Sequence, residues 1–216
     1  MVGGQKRKAC LQYPIERTDD KRMVMSKSLA GYFHFMWAGL VKQGQTGALV
    51  PSQRFLISRM IAPVPANYRG QIVELGAGNG AITLRLAARC PHARILACEI
   101  NPTLARDNRS NLNAAGINGR VEVVPDAAEH LLSEMCRRKM DKPDFVISSI
   151  PLGNFGKRRV IEIIDAVSKA LKRGGLYIQY QHSLLDRKKI KARFSHLRTV
   201  PVLLNVPPAV VYYASK

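Results

Sequence analysis

A glycine-rich turn between a mostly apolar run and a helical pattern constrains this chain more than any other feature. Residues 71–86 are QIVELGAGNGAITLRL, in which three glycines, Gly76, Gly78 and Gly80, fall within five positions. Glycine tolerates positive φ angles and lets a ligand approach the backbone closely, so a strand, turn and helix of this kind are typical of a nucleotide-binding crevice. The sequence therefore predicts an α/β fold with a ligand at the end of its first strand.

Strand-like and helix-like segments alternate from residue 71 onward. Apolar runs predict strands at 71–75, 94–99, 120–124, 144–149 and 175–181. Helical spacing predicts helices at 80–89, 102–115, 127–138, 158–173 and 184–194. This alternation is typical of βαβ units in a doubly wound sheet. Two further strand-like runs, 197–206 and 209–216, predict a terminal pair of which one strand inserts antiparallel, giving a seven-stranded, mainly parallel sheet.

The first 62 residues have a different character. Residues 1–20 are polar and basic, whereas the next 23 residues carry an apolar stripe at helical spacing, formed by Met25, Leu29, Phe33, Met36, Trp37 and Leu40. The stripe indicates either a helix packed on the main domain or an interfacial helix on a membrane, and both readings stay open. Pro51 and Ser52 can start a helix that runs to about Ile61. We expect a basic arm and amphipathic helices over residues 1–62, as a cap for membrane or substrate, and the main domain over 63–216.

The charge of the chain indicates a polyanionic partner. Lys and Arg number 34 against 15 Asp and Glu, which gives a net charge of +19 and an isoelectric point near 10.3. Such an excess suits nucleic acid or an anionic membrane surface. The densest basic cluster consists of Arg187, Lys188, Lys189, Lys191 and Arg193.

The cysteine pattern predicts neither a metal site nor a disulfide framework. Cys10, Cys90, Cys98 and Cys136 show no C-x-x-C spacing, so no metal is expected and a reducing compartment fits. The longest apolar stretch, residues 29–41, is shorter than the roughly 20 residues of a membrane-spanning helix.

Acidic residues near the ends of the predicted strands bear on which ligand the turn binds. Glu99 ends the second strand, where an acid holds ribose hydroxyls in dinucleotide folds. The turn itself suits either a nicotinamide dinucleotide or S-adenosylmethionine. Glu74 would repel a pyrophosphate but suits a cationic amino-acid group, and Asp126 at the third strand's end can accept from an adenine amine. The acids therefore favour S-adenosylmethionine.

Four segments carry a family resemblance. VELGAGNGAIT, ACEINP, VVPDAAEHL and DFVISSIPLGNF resemble, in order and spacing, the successive motifs of class I S-adenosylmethionine-dependent methyltransferases with a Rossmann-like fold, over about residues 70–182. The resemblance implies that the methionine part is framed by Glu74, Gly76, Ala77, Gly78 and Gly80. It implies that Glu99 holds the ribose and that the adenine is bordered by Ile100, Asn101, Asp126 and Ala127. Ser52 would close over the methionine end.

The run SSIPLGNF after the fourth strand bears on the methyl acceptor. Enzymes that methylate adenine amines, including the otherwise similar ribosomal RNA adenine dimethylases, carry Asn or Asp and later an aromatic ring here, where this chain has Ser149 and Leu152. A flipped base needs stacking and hydrogen bonds. Bacterial phospholipid and ornithine-lipid N-methyltransferases are more similar, in GALVPSQRFLISRMI, in the S-x-I/L-P-L run and in length.

This second resemblance implies methyl transfer to a lipid head-group amine, either phosphatidylethanolamine on the way to phosphatidylcholine or an ornithine lipid. It implies a cytoplasmic enzyme that associates peripherally with the inner face of an anionic membrane. Methylation of RNA at adenine N6, or of a protein, is the alternative, and nucleic acid is the less favoured partner.

Methyl transfer to an amine requires a free lone pair, which an ammonium group lacks. The site must therefore lower the amine's pKa or offer a base. Tyr180 and His182, at the end of the fifth strand, are two positions apart and so share a face, which makes them the candidate groups. Ser148 and Ser149 are candidates for orienting the amine through their backbone carbonyls.

Overall fold

The computed structural model describes residues 51–117, 119–205 and 207–216. The predicted basic arm and the apolar stripe from Met25 to Leu40 lie outside the described residues, as does the side chain of Ser52. All described residues belong to one compact unit.

Strands and helices alternate along this unit. The strands are β1 (Gln71–Leu75), β2 (Arg94–Cys98), β3 (Val121–Val124), β4 (Phe145–Ser148), β5 (Leu176–Gln181), β6 (His196–Val202) and β7 (Ala209–Ser215). The helices are α1 (Pro51–Ile61), α2 (Ala81–Arg89), α3 (Pro102–Ala114), α4 (Ala128–Arg137), α5 (Lys157–Ala170) and α6 (Arg187–Lys191). A short 3-10 turn, Leu152–Asn154, follows β4.

The strands form one sheet in the order β3-β2-β1-β4-β5-β7-β6. Strands β1 to β5 are parallel, and β7 lies antiparallel between β5 and β6. The chain steps outward from β1 to β3 and then returns to place β4 beside β1. Ligands of such sheets bind at this reversal, beyond the carboxyl ends of the strands. The predicted doubly wound, seven-stranded, mainly parallel sheet is confirmed.

Helices α1 and α2 cover one face of the sheet. Their apolar residues, including Met60 and Leu86, share a buried cluster with Ile72 of β1 and Ile178 of β5. Because side chains alternate along a strand, Glu74 lies on this same face, opposite Ala97 of β2 and Ile147 of β4. The cluster therefore fixes the end of β1 under the start of α2, where the glycine turn connects the two.

Two predicted elements are shorter than expected. The helix predicted over 184–194 spans only Arg187–Lys191, because Ser183 and Leu184 form a loop tied to β7 through the hydrogen bond from Tyr212 OH to the Ser183 carbonyl. The strand-like run 197–206 pairs with β7 only as far as Val202, and the amide of Asn205 then closes a turn by donating to the Val202 carbonyl. Both predicted elements extend too far because the leucine pairs at 184–185 and 203–204 mimic a buried pattern.

Candidate active site

The glycine turn has positive φ at all three glycines, with angles of 75° at Gly76, 56° at Gly78 and 96° at Gly80. A Cβ atom at Gly80 would lie 2.4 Å from Asn108 Oδ1, and one at Gly76 would lie 3.1 Å from Ile150 Cγ1. A Cβ at Gly78 would meet no described atom within 4 Å. Packing therefore requires glycine at Gly76 and Gly80, whereas Gly78 borders open space of the kind a ligand fills.

Glu99 closes the turn from the second strand. The Gly78 amide donates to Glu99 Oε2 at 2.8 Å, and the Asn101 amide donates to Oε1 at 2.9 Å. Burial raises the pKa of this carboxyl, and the backbone donors partly offset the rise. Each oxygen of a carboxylate can accept more than one hydrogen bond, so Glu99 keeps acceptor capacity for a pair of hydroxyls.

The neighbours of Glu99 have backbone and capping contacts. The amides of Gly76 and Ala77 both donate to the Cys98 carbonyl at 2.9 Å, which aligns the turn with the end of β2. Asn101 Oδ1 caps α3 by accepting from the Thr103 amide at 2.9 Å, and Ile100 beside it is half-buried. The Asn101 side chain is thus engaged in the helix cap. Asn101 would therefore contribute to a ligand site through its backbone and by shaping the site wall.

Glu74 is an isolated buried carboxyl group. It is fully buried, and neither of its carboxylate oxygens has a hydrogen-bond partner in the described part of the chain. Burial, with a smaller contribution from Glu99, raises its pKa to about 8, and the Thr83 hydroxyl partly offsets the rise. A buried polar group without a partner is costly, so this carboxylate suits a cationic ligand group.

Asp126 lies just beyond β3, at the same edge of the sheet. Its Oδ1 accepts from the Ala127 amide at 2.7 Å, and its Oδ2 lies 2.6 Å from His130 Nδ1. Sequence reasoning did not select His130, although its spacing of four residues from Asp126 at a helix start is a recognisable pairing signal. Asp126 therefore follows the carboxyl end of β3 with part of its acceptor capacity engaged, and its contact with an adenine amine stays a prediction.

The segment after β4 is tied to both the turn and β5. Ser149 Oγ donates to the Gly76 carbonyl, and the fully buried Ser148 accepts from the Ile150 amide at 3.3 Å. Leu152, in the position where adenine-methylating enzymes carry an aromatic ring, is completely buried. No stacking surface is therefore offered by this residue.

A buried polar network on the other face of the sheet was not identified from the sequence. Gln179 Nε2 donates to the Ile150 carbonyl at 2.9 Å, and Tyr177 OH donates to Gln179 Oε1 at 2.6 Å. Gln181 Nε2 reaches the same carbonyl at 3.4 Å. The alternation in LYIQYQ places these three side chains on one face and is the signal that could have identified them.

Tyr180 and His182 lie on the opposite side of β5 from that network. Their ring centroids are 5.7 Å apart in an edge-to-face arrangement. His182 Nδ1 lies 3.0 Å from the Pro208 carbonyl, which can only accept, so Nδ1 carries a proton and a neutral ring leaves Nε2 free to accept one. Burial raises the pKa of Tyr180, which therefore keeps its proton at neutral pH.

The described residues contain no group of three or more His, Cys, Asp or Glu placed to hold a metal ion. In the same ranges no helix is long and apolar enough to cross a bilayer.

Known proteins are similar to this chain at several levels. Residues 72–175 match the family model described as a methyltransferase domain. An ornithine lipid N-methyltransferase of Singulisphaera acidiphila is 28% identical over 169 residues, which cover 77% of this chain and 86% of that protein. The ribosomal RNA large subunit methyltransferase G of Shewanella amazonensis is 28% identical over 151 residues, covering 65% of this chain but 37% of that protein.

A solved structure shares the fold. The 16S rRNA N2 methyltransferase RsmC of T. thermophilus, in complex with AdoMet and guanosine, superposes with a TM-score of 0.61 at 21% identity. The match covers 80% of this chain and 44% of that one. The chain thus spans less than half the length of either RNA enzyme, but most of the length of the lipid enzyme.

Proposed function

Because this chain carries a class I S-adenosylmethionine-dependent methyltransferase domain, we propose that it methylates the amine head group of a membrane lipid. The acceptor is either phosphatidylethanolamine, on the way to phosphatidylcholine, or an ornithine lipid. The observation that carries this proposal is the extent of the match to the ornithine lipid N-methyltransferase, which spans 86% of that enzyme and 77% of this chain.

S-adenosylmethionine supplies an electrophilic methyl group, and the residues around the glycine turn fit it. Glu74, buried without a partner, would pair with the cationic amino-acid end, and the open space beside Gly78 would receive the ligand. Glu99 would accept from the ribose hydroxyls. The adenine would be bordered by Ile100, Asn101, Asp126 and Ala127, while Gly76, Ala77 and Gly80 shape the turn and Ser52 closes the methionine end.

The acceptor amine would lie beyond the ends of β4 and β5, next to the glycine turn. There, His182 Nε2 would take the proton that the ammonium must lose, and Tyr180 would hold the imidazole by its edge-to-face contact. The Ser148 and Ser149 carbonyls would orient the amine. The buried Leu152 supports a small aliphatic amine over a flipped base, because it leaves no ring on which a base could stack.

The same proposal places the enzyme on the cytoplasmic face of a membrane. A net charge of +19 favours an anionic lipid surface, where each basic residue contributes roughly 1 kcal/mol. The predicted N-terminal stripe with Phe33 and Trp37 would add apolar contact of the kind that gives reversible binding.

Methylation of RNA, at adenine N6, or of a protein is the second candidate. The observation that favours RNA is the similarity of the domain to two ribosomal RNA methyltransferases, together with the basic composition. More than half of each of those enzymes lies outside the match, so the similarity to them covers less of the relative than the similarity to the lipid enzyme does.

An acceptor assay distinguishes the two candidates. The protein is incubated with methyl-labelled S-adenosylmethionine and, separately, with vesicles that contain phosphatidylethanolamine, vesicles that contain an ornithine lipid, and ribosomal RNA. Label in either lipid fraction is expected, and mass spectrometry of that fraction then identifies the head group and counts the methyl groups. Label confined to RNA or to protein would refute the lipid proposal, and the Glu99→Ala variant serves as the inactive control.

A further inference from the structure

Two adjacent pairs of leucines are exposed in loops of the described structure. Leu184 and Leu185 follow β5 and are 55% and 77% exposed, and Leu203 and Leu204 follow β6 and are 75% and 65% exposed. Single exposed leucines are ordinary, but two pairs of them, in loops after two strands, are apolar surface that folding alone does not require. We call these four residues the leucine edge.

The leucine edge lies at the same end of the sheet as the glycine turn. Strand β5 is parallel to β4 and β1, and β6 runs in that direction too because both β5 and β6 pair antiparallel with β7. The two loops are neighbours: His182 Nδ1 lies 3.0 Å from the Pro208 carbonyl, and Tyr212 OH donates to the Ser183 carbonyl at 2.8 Å. The leucine edge therefore borders the acceptor side of the crevice.

Buried polar side chains hold both loops in place. In the first loop Asp186 is 2% exposed and accepts a hydrogen bond from Lys189. In the second loop Asn205 is 5% exposed and its Nδ2 donates to the Pro207 carbonyl at 2.7 Å. The polar residues thus turn inward and the leucines outward, which is the reverse of the arrangement that water favours.

Basic side chains lie beside the leucine edge. Arg187 and Lys188 follow it directly, and Lys157 begins α5 at the same end of the sheet; all three are exposed, and none has an acidic partner within the described ranges. Lys139 and Lys142 stand at the opposite end, so charge alone does not select a face. Paired leucines together with cations distinguish the crevice end of the sheet from the opposite end. This combination suits an anionic bilayer, in which acyl chains lie below the phosphates.

A nucleic-acid strand fits this patch less well. Single-stranded RNA is held by aromatic rings on which bases stack, and leucine has no such ring.

We propose that the leucine edge inserts into an anionic lipid bilayer and seats the active-site crevice against the head groups. Leu184, Leu185, Leu203 and Leu204 enter among the acyl chains, while Arg187, Lys188 and Lys157 stay level with the phosphates. This inference rests on the proposed function in taking the membrane as the source of the acceptor. It assigns the orientation of the bound enzyme to two loops of the catalytic domain itself.

Vesicle flotation of the full chain tests the insertion. Vesicles of phosphatidylglycerol and phosphatidylcholine are used without amine lipid and without S-adenosylmethionine, so that no catalysis is required. Replacing the four leucines by serine is expected to lower vesicle partitioning at least tenfold at constant net charge. Partitioning equal to that of the unchanged protein would overturn the proposal.

The matched control removes charge at the other end of the sheet. Lys139→Gln with Lys142→Gln is expected to change partitioning less than threefold, because those residues face away from the bilayer in the proposed orientation. A loss as large as that of the leucine variant would indicate unoriented charge binding and overturn the proposal.

A fluorescence experiment avoids dependence on the quadruple variant. The chain has one tryptophan, Trp37, so Leu185→Trp in a Trp37→Phe background reports only on the first loop. A blue shift of emission with anionic vesicles, and quenching by brominated lipid, are expected for Leu185→Trp and not for Lys139→Trp. An unshifted spectrum, or a shift with RNA in place of vesicles, would overturn the proposal.

The outcomes separate this inference from the proposed function. Insertion of the leucine edge without methylation of any lipid would support the docking surface and refute the lipid acceptor. Lipid methylation that is unaffected by the four serine substitutions, with unchanged partitioning, would support the acceptor and refute the docking surface.

Discussion

The backbone amide of Gly78 donates a hydrogen bond of 2.8 Å to Glu99 Oε2 and so joins the turn after β1 to the acid after β2. The second carboxylate oxygen accepts from the Asn101 amide at 2.9 Å. Both contacts come from the backbone and hold the acid in place. The crevice is therefore preorganised at the point where the proposed ribose site lies.

Glu99→Gln is expected to weaken binding of S-adenosylmethionine and its demethylated product at least tenfold. The amide keeps the size of the side chain but replaces one acceptor oxygen by a donor, which opposes either a backbone N–H or a ribose hydroxyl. Titration calorimetry measures the effect, and Glu122→Gln, at an exposed acid on β3, is the control. Unchanged affinity in Glu99→Gln would remove this residue from the site.

Alanine substitutions at Gly78 and Gly80 are expected to have different effects: the first should mainly block ligand binding, and the second should mainly destabilise the fold. Gly78→Ala places a Cβ in open space and should cost only about 1 kcal/mol of stability for its positive φ, yet block the ligand. Gly80→Ala places a Cβ 2.4 Å from Asn108 Oδ1 and should destabilise the fold by more. Urea unfolding and calorimetry separate the two, and Gly116→Ala, with φ of 68° and no near neighbour, should match Gly78→Ala in stability while binding normally.

The stability of the ligand-free protein should fall as pH rises toward 8. The pKa of Glu74 is raised from 4.5 to about 8, so the unfolded chain loses this proton at a lower pH than the folded chain does. Glu74 therefore contributes full stability below pH 4.5 and loses it progressively up to about pH 8, on the order of a few kcal/mol. Thermal unfolding across this range should show a flatter profile in Glu74→Gln.

The same shift predicts proton release on ligand binding. If a cationic amino-acid group pairs with Glu74, the carboxyl must ionise, so binding near pH 7 should release close to one proton. Calorimetry in buffers of different ionisation enthalpy reads this number. Buffer-independent heat would contradict the pairing, and Glu74→Gln should bind weakly without proton release.

His182→Asn is expected to lower kcat by about tenfold to a hundredfold, because the proposed proton acceptor is removed. Cofactor affinity should not change, since His182 lies two strands from β1. Tyr180→Phe, which keeps the ring contact, should retain most of kcat. An unchanged kcat in His182→Asn would assign deprotonation to another group.

The Tyr177–Gln179 pair is suited to a double-mutant cycle. Gln179→Leu removes the acceptor of the buried Tyr177 hydroxyl and leaves the Ile150 carbonyl only its longer bond from Gln181 Nε2, at a cost of about 1–3 kcal/mol. Adding Tyr177→Phe should recover part of that loss, because it removes one of the orphaned groups. Urea unfolding measures the coupling, and strictly additive losses would contradict it.

Much of the architecture was predictable because it depends on local spacing. The five parallel strands, the glycine turn and the acids at Glu74, Glu99 and Asp126 follow from periodicity and from the backbone freedom of glycine. The helix Pro51–Ile61 was predicted from its start signal and is confirmed. The bounds of α6 and the end of β6 were not predicted correctly. The leucines next to them have the composition of buried segments and yet face water: Leu184, Leu185, Leu203 and Leu204.

The sequence by itself determined the order of strands and helices, the position of the turn and the presence of an acid at or just past the end of each of the first three strands, since these depend on near neighbours along the chain. Only the tertiary structure decided that β7 lies between β5 and β6, that Asn108 excludes a side chain at Gly80, and that Gln179 binds the Ile150 carbonyl. Those relationships join residues far apart in sequence. Long-range packing selects among many locally acceptable pairings, and no local pattern encodes which one it selects.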